Sequence, residues 1–171
     1  MEFSFTDLGD VSAYIGVPLT ILASYWLVLP HLSGKNKAYY IYLLFWGVPY
    51  IIGNICDSNK IGAIWVRWHL VDVSYEAWSM ALGVVIYTLA MKLTHRPYDQ
   101  RSIMMYAGIS LAVFMAMAYA WEIGQTLLAL RDFGSAGDLT DYGYYAIGAG
   151  LAALPFIAFS RLRAAAYAQL S

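Results

Sequence analysis

Leu70-Val71-Asp72-Val73-Ser74-Tyr75-Glu76-Ala77-Trp78-Ser79-Met80-Ala81-Leu82-Gly83-Val84-Val85-Ile86-Tyr87-Thr88-Leu89-Ala90-Met91-Lys92-Leu93 is the stretch on which the fold turns. A membrane helix takes roughly 20 mostly apolar residues, and this run is long enough. It stops at Thr94-His95-Arg96-Pro97, where the proline ends a helix. Yet its first half carries Asp72 and Glu76. With His69 just ahead of them, these residues are spaced i, i+3, i+7 and share one helix face. An ionisable group inside a span costs a few kcal/mol or more and turns toward the bundle interior. The stretch therefore reads as a transmembrane helix with one ionisable stripe.

Working outward, four more spans follow. The first covers residues 12–31 and ends at Pro30 and the polar Ser33-Gly34-Lys35-Asn36-Lys37. The second covers 38–56, with a kink expected at Pro49, and Asp57-Ser58-Asn59-Lys60 closes it. The Trp-containing segment from Ile61 to His69 either lies at the interface or extends the third span, 70–93. The fourth covers 102–130. A Gly- and Asp-rich loop, Arg131 to Asp141, leads to the fifth, 142–160. The fold expected is all-α, an integral membrane bundle of five transmembrane helices in one domain, 1–171. Gly143, Ala146, Gly148, Ala149 and Gly150 predict close packing of the fourth helix on the fifth, because small residues let membrane helices approach.

Composition agrees. The chain is 61% hydrophobic and only 12% charged, about half the charge of a soluble domain. A net charge of -1 and the lack of a basic run exclude a phosphate-backbone partner. The single cysteine, Cys56, excludes an intrachain disulfide and a thiolate cluster. Met1-Glu2-Phe3-Ser4-Phe5 has no basic n-region, so no cleaved signal peptide is expected. Lys35, Lys37, Lys92, Arg96, Arg101, Arg161 and Arg163 fall on one side of the membrane, against Lys60, Arg67 and Arg131 on the other. The positive-inside rule then puts the N-terminus outside and the C-terminus in the cytoplasm. Of the acidic residues, only Asp99 lies on the inner side.

That skew points to chemistry near the outer ends of the spans. Glu76 and Glu122 lie within spans, and Asn54 and Asp57 end the neighbouring second helix at a similar depth. Burial among Tyr and Trp favours the neutral form of a carboxyl, and a neutral acid in an aromatic pocket is a proton donor. Aromatic faces and a nearby carboxylate would stabilise the carbocation that such a proton makes. Glu76, Glu122 and Asp57 are thus the candidate catalytic groups. Asn54, His69, Asp72, Tyr75, Trp78, Tyr119 and Trp121 are candidate substrate-binding residues. Asp72, Asp132 and Asp138 better suit solvated headgroup positions paired with Arg67, Lys60 or Arg131. His69-x-x-Asp72 has ligand spacing, but a di-iron bundle needs two Glu-x-x-His pairs, and His31 and His95 lie at the opposite boundary. No metal and no cofactor is expected. The partner expected is a membrane lipid or isoprenoid.

Glu76 early in the third span, His95-Arg96-Pro97 after it, Tyr119 followed by Arg131-Asp132 and Gly137-Asp138-Leu139, and Leu154-Pro155 late in the fifth span resemble the emopamil-binding-protein (EXPERA) family of sterol isomerases. These too are five-span proteins. The second-span His of that family has no counterpart here, and its fifth-span Asn and Trp fall near Gly148 and Leu151. The resemblance implies an acid-rich lipid pocket with Glu76 as proton donor or acceptor. Trp121-Glu122 is similar to a Trp-Glu pair of membrane terpene cyclases. A second resemblance, over the last third of the chain, is to VanZ-like membrane proteins. It rests on Glu122, Gln125, Arg131 and Asp141-x-x-x-Tyr145-x-x-Gly148, and implies a non-enzymatic envelope- or lipid-associated protein.

Overall fold

The structure, a computed structural model, describes residues 11–127 and 139–168. Arg131, Asp132, Gly137 and Asp138, the end of the fourth span beyond Leu127, and the side chains of Gln125, Arg161 and Arg163 lie outside that description. Among the described residues the chain is helical and has no strand. Five helices follow in order: α1 (Ser12–Leu27), α2 (Gly34–Ser58), α3 (Ile64–Leu93), α4 (Gln100–Leu127) and α5 (Leu139–Ala168). Gly34–Ser58, Ile64–Leu93 and Gln100–Gly124 are long and apolar enough to cross a membrane, while Ser12–Leu27 is apolar but shorter. This marks the chain as a membrane protein. Large side chains such as Trp26, Leu19, Phe45, Leu93 and Leu154 project outward, an apolar surface far larger than a soluble monomer carries.

The helix ends depart from the sequence reading for local reasons. α1 stops at Leu27, and a short 3-10 turn, Leu29–His31, replaces its expected last turn. α2 is interrupted at Trp46, between Gly34–Phe45 and Gly47–Ser58. The break precedes Pro49 because a proline has no N–H to give the carbonyl four residues back, that of Phe45. α3 begins at Ile64, so the segment before His69 extends the third helix from that residue on. Gly62 turns the chain there with φ 87°, a conformation open to glycine. His95, also at positive φ, closes α3, and the Arg96 N–H returns to the Met91 carbonyl.

α3 is the central helix and touches the other four. Tyr40 reaches the Ala81 carbonyl, and Gly53 lies against Val71, so α2 and α3 run antiparallel. On the other side, the Tyr39 and Tyr42 hydroxyls donate to the carbonyls of Ala152 and Leu151 and tie α2 to α5. The small residues of α5 serve α3 more than α4. A Cβ on Gly148 would strike the Val73 carbonyl, whereas Gly143 and Ala146 are exposed. Gly83 meets Ser110 of α4 in the same manner, and Tyr87 stacks on Tyr106 with centroids 3.6 Å apart.

The turns α1–α2 and α3–α4 share one end of the bundle and are bonded to each other. The Ser33 N–H and Oγ both donate to Gln100 Oε1, and Tyr98 meets His31 Nε2 at 3.1 Å. Asp99 starts α4 with a reciprocal cap: Ser102 N–H donates to Asp99 Oδ1 at 2.8 Å, and Asp99 N–H donates to Ser102 Oγ at 2.9 Å. These bonds from Ser102 hold the Asp99 carboxyl below the usual carboxylate range.

Candidate functional site

The opposite end of the bundle gathers the acids. His69, Asp72 and Glu76 descend one face of α3, and their burial rises with depth. The His69 and Asp72 side chains keep 15% and 13% of their exposure, and Glu76 keeps 0%. Because Gly148 lets α5 sit on the Val73 backbone, the first turns of α5 come down beside the same face. Asp141 Oδ1 lies 3.7 Å from His69 Nδ1, and Asp72 Oδ2 lies 3.8 Å from it. Asp72 is also within hydrogen-bonding reach of Asp141 and of the Tyr145 hydroxyl. Tyr145 extends the set to α4, its hydroxyl donating to Glu122 Oε1 at 3.4 Å. Glu122 is itself buried.

Aromatic rings wall this cluster. Tyr144 stacks on the His69 imidazole at 3.9 Å, and Trp65 flanks both. The Tyr145 ring stands edge-on to Tyr75 on one side and to Tyr119 on the other. Tyr119 stacks in turn on Tyr142 and donates to its carbonyl. His69, Asp72, Asp141, Tyr145 and Glu122 thereby meet from three helices in a tyrosine-lined cluster whose outer members are only partly buried. Such a setting can accept a polar headgroup and pass protons.

Glu76 sits one turn below Asp72 on that face. Neither of its carboxylate oxygens has a hydrogen-bond partner among the described residues, although a lone buried polar group costs roughly 1–3 kcal/mol. The Trp46 indole N–H is also buried and without a hydrogen-bond partner among the described residues. It adjoins Gly47, which lies against Trp78, so Trp46 occupies the depth of Glu76. One turn below Glu76, Met80 lines an apolar cleft of about 80 Å³ with Tyr39, Met104, Ala107, Gly108, Leu111 and Ala153. Only a short apolar stretch would fit there, and Glu76 is not among the residues that line it.

The residues expected from the sequence are thus partly assembled. His69, Asp72, Tyr75, Tyr119 and Glu122 meet; Glu76 lies directly beneath. Asp57 does not join them, because it forms an exposed ion pair with Lys60 at 3.1 Å, a turn beyond the Gly53–Val71 contact. Asn54 is buried and donates to the Tyr50 carbonyl at 2.8 Å. Trp78 is buried but stacks on Tyr50. Two residues along a helix lie about 200° apart around its axis, so Trp78 faces α1 and α2, away from Glu76's stripe. Trp121 is 60% exposed, since neighbours on a helix differ by about 100° and Glu122 takes the inward direction. Asp141, Tyr144 and Tyr145 were not among the candidates. Their signal was the i, i+4 spacing of Asp141 and Tyr145 at the start of a helix, which reads as a polar stripe continuing into Gly148.

Compared with known proteins, the chain matches no family model, no curated protein and no solved structure.

Proposed function

We propose that this chain is a five-span membrane protein, N-terminus outside and C-terminus in the cytoplasm, that carries out proton-initiated isomerisation or cyclisation of an isoprenoid lipid. The observation that carries the reading is Glu76, fully buried and with no partner for either oxygen among the described residues. A carboxyl in that position has little structural use, and an aromatic, water-poor site is where an acid can protonate an alkene. A short apolar stretch of the lipid enters the cleft below, and the adjoining double bond reaches Glu76 between the helices. Glu76, left as the carboxylate, then takes back the proton that the cation loses from a neighbouring carbon, so the isomerisation consumes no net proton. The tyrosine faces and the remaining carboxylates stabilise the cation.

The test is deuterium uptake. Protein purified in detergent is extracted for copurifying lipids, and the isoprenoids found are incubated with it in D2O. The wild type is expected to place deuterium on carbon. Glu76→Gln should bind the lipid and incorporate none, because the amide fills the same volume without delivering a proton. Absence of uptake by the wild type would overturn the enzymatic reading.

One observation favours a second reading. Glu122, Asp141, Tyr145 and Gly148, the residues behind the VanZ-like resemblance, meet against α3. On this reading the protein binds a lipid headgroup in the envelope without chemistry, and copurifying lipid would remain unchanged in D2O.

A further inference from the structure

We propose that His69, Asp72 and Asp141 bind one divalent transition-metal ion of the zinc and manganese class. The three ligand atoms, one nitrogen and two carboxylate oxygens, lie within 4.8 Å of one another. The His69 separations of 3.7 and 3.8 Å are too long for hydrogen bonds, and His69 Nδ1 is buried with no hydrogen-bond partner among the described residues. They are close to the spacing a tetrahedral ion imposes, about 3.4 Å between ligand atoms at bond lengths of ~2.1 Å. Small rotations of the two Asp side chains close that gap.

The surroundings favour a cation on independent grounds. Three carboxyls, those of Asp72, Asp141 and Glu122, converge around Tyr145, and a cation would offset their mutual repulsion when they ionise. His69 is the one basic group within ion-pair distance of Asp72 among the described residues. The imidazole is held by stacking on Tyr144 rather than by a bond at Nδ1, so its orientation is fixed while that nitrogen stays available. A nitrogen with two carboxylates suits zinc or manganese better than magnesium or calcium, which prefer all-oxygen sets. The ligands come from α3 and α5, which is why the His69-x-x-Asp72 pair in the sequence lacks its third member. Three protein ligands leave a position for water or a headgroup oxygen. The site stands whether or not Glu76 protonates a lipid.

The full-length protein in detergent, stripped with EDTA, is titrated with ZnCl2 against a competing indicator. The wild type is expected to take up one equivalent. His69→Gln and Asp141→Asn should each weaken zinc binding by at least the roughly 100-fold that loss of an outer-shell partner can cost. His31→Gln and His95→Gln, at the other end of the bundle, should bind as the wild type does. Should the site variants fail to fold, X-ray absorption of the zinc-loaded wild type decides. One imidazole with oxygen ligands supports the site; sulfur from Cys56, several imidazoles, or no retained zinc overturns it. Wild-type affinity in folded His69→Gln or Asp141→Asn overturns it too.

Discussion

Gly148 of α5 rests on the main chain of Val73 in α3 so closely that even a methyl group there would meet the Val73 carbonyl oxygen. This contact sets the height of α5 and so brings Asp141 and Tyr145 to Asp72. Gly148→Ala should cost roughly 1–3 kcal/mol through overpacking, a fall of about 3–10 °C in Tm. Gly143→Ala, with nothing near its Cβ position, should keep or slightly raise Tm, since alanine is the better helix former. Equal melting of the two variants in detergent would refute the contact.

Glu76 should trade stability for function. Glu76→Leu removes a buried group without partners among the described residues, and so should raise stability by about 1–3 kcal/mol while abolishing any proton transfer. Thermal unfolding of the two proteins side by side measures this. A large loss of stability would mean that Glu76 has a structural partner.

Tyr145 links α5 to acids on two other helices. Tyr145→Phe should lower stability by about 0.5–1.5 kcal/mol, the usual net worth of a buried hydrogen bond. Tyr25→Phe, on the exposed face of α1, serves as the control and should show no change.

Asp99 gives a pH-dependent prediction outside the membrane. Its carboxyl is held below its ordinary range by bonds from Ser102, so its cap contributes stability above the unfolded carboxylate's pKa. That contribution disappears as pH falls through the lower folded value. Asp99→Ala should therefore melt below the wild type at pH 7, and the two curves should converge in acid. A difference that persists unchanged into acid would assign the effect to something other than the charged cap.

Orientation can be checked by labelling. With Cys56 replaced by Ala, cysteines introduced at Thr94 and Ser135 should react with an impermeant reagent from opposite sides of the membrane. Labelling of both from one side would eliminate the five-span topology.

Much of α3 was legible in the sequence, because a terminator after Leu93 and a stripe of ionisable residues define both its end and its inward face. The depth of Glu76 followed from the same pattern. What the pattern could not supply was the partner of that stripe. Gly148 looked suited to α4, yet whether a small residue meets one neighbour or another depends on helix rotation, which no local spacing encodes. The adjacent pairs show the same limit: Trp121 and Glu122 were read together, but a helix turns one out as it turns the other in. Asp57 at a helix end had a local alternative, Lys60, three residues on, and that pairing won.

The bonds between the α1–α2 and α3–α4 turns fasten one edge of the bundle. Ser33, Gln100, His31 and Tyr98 form the pin. Any splaying that lets a chain-shaped molecule slip between the helices rotates about that pin, with α3 as the lever arm. Its 30 residues span about 45 Å at 1.5 Å each, so a tilt of about 5° shifts the far tip by about 4 Å. That tip carries His69 and Asp72. The acids thus sit farthest from the pin, where a given tilt moves side chains most.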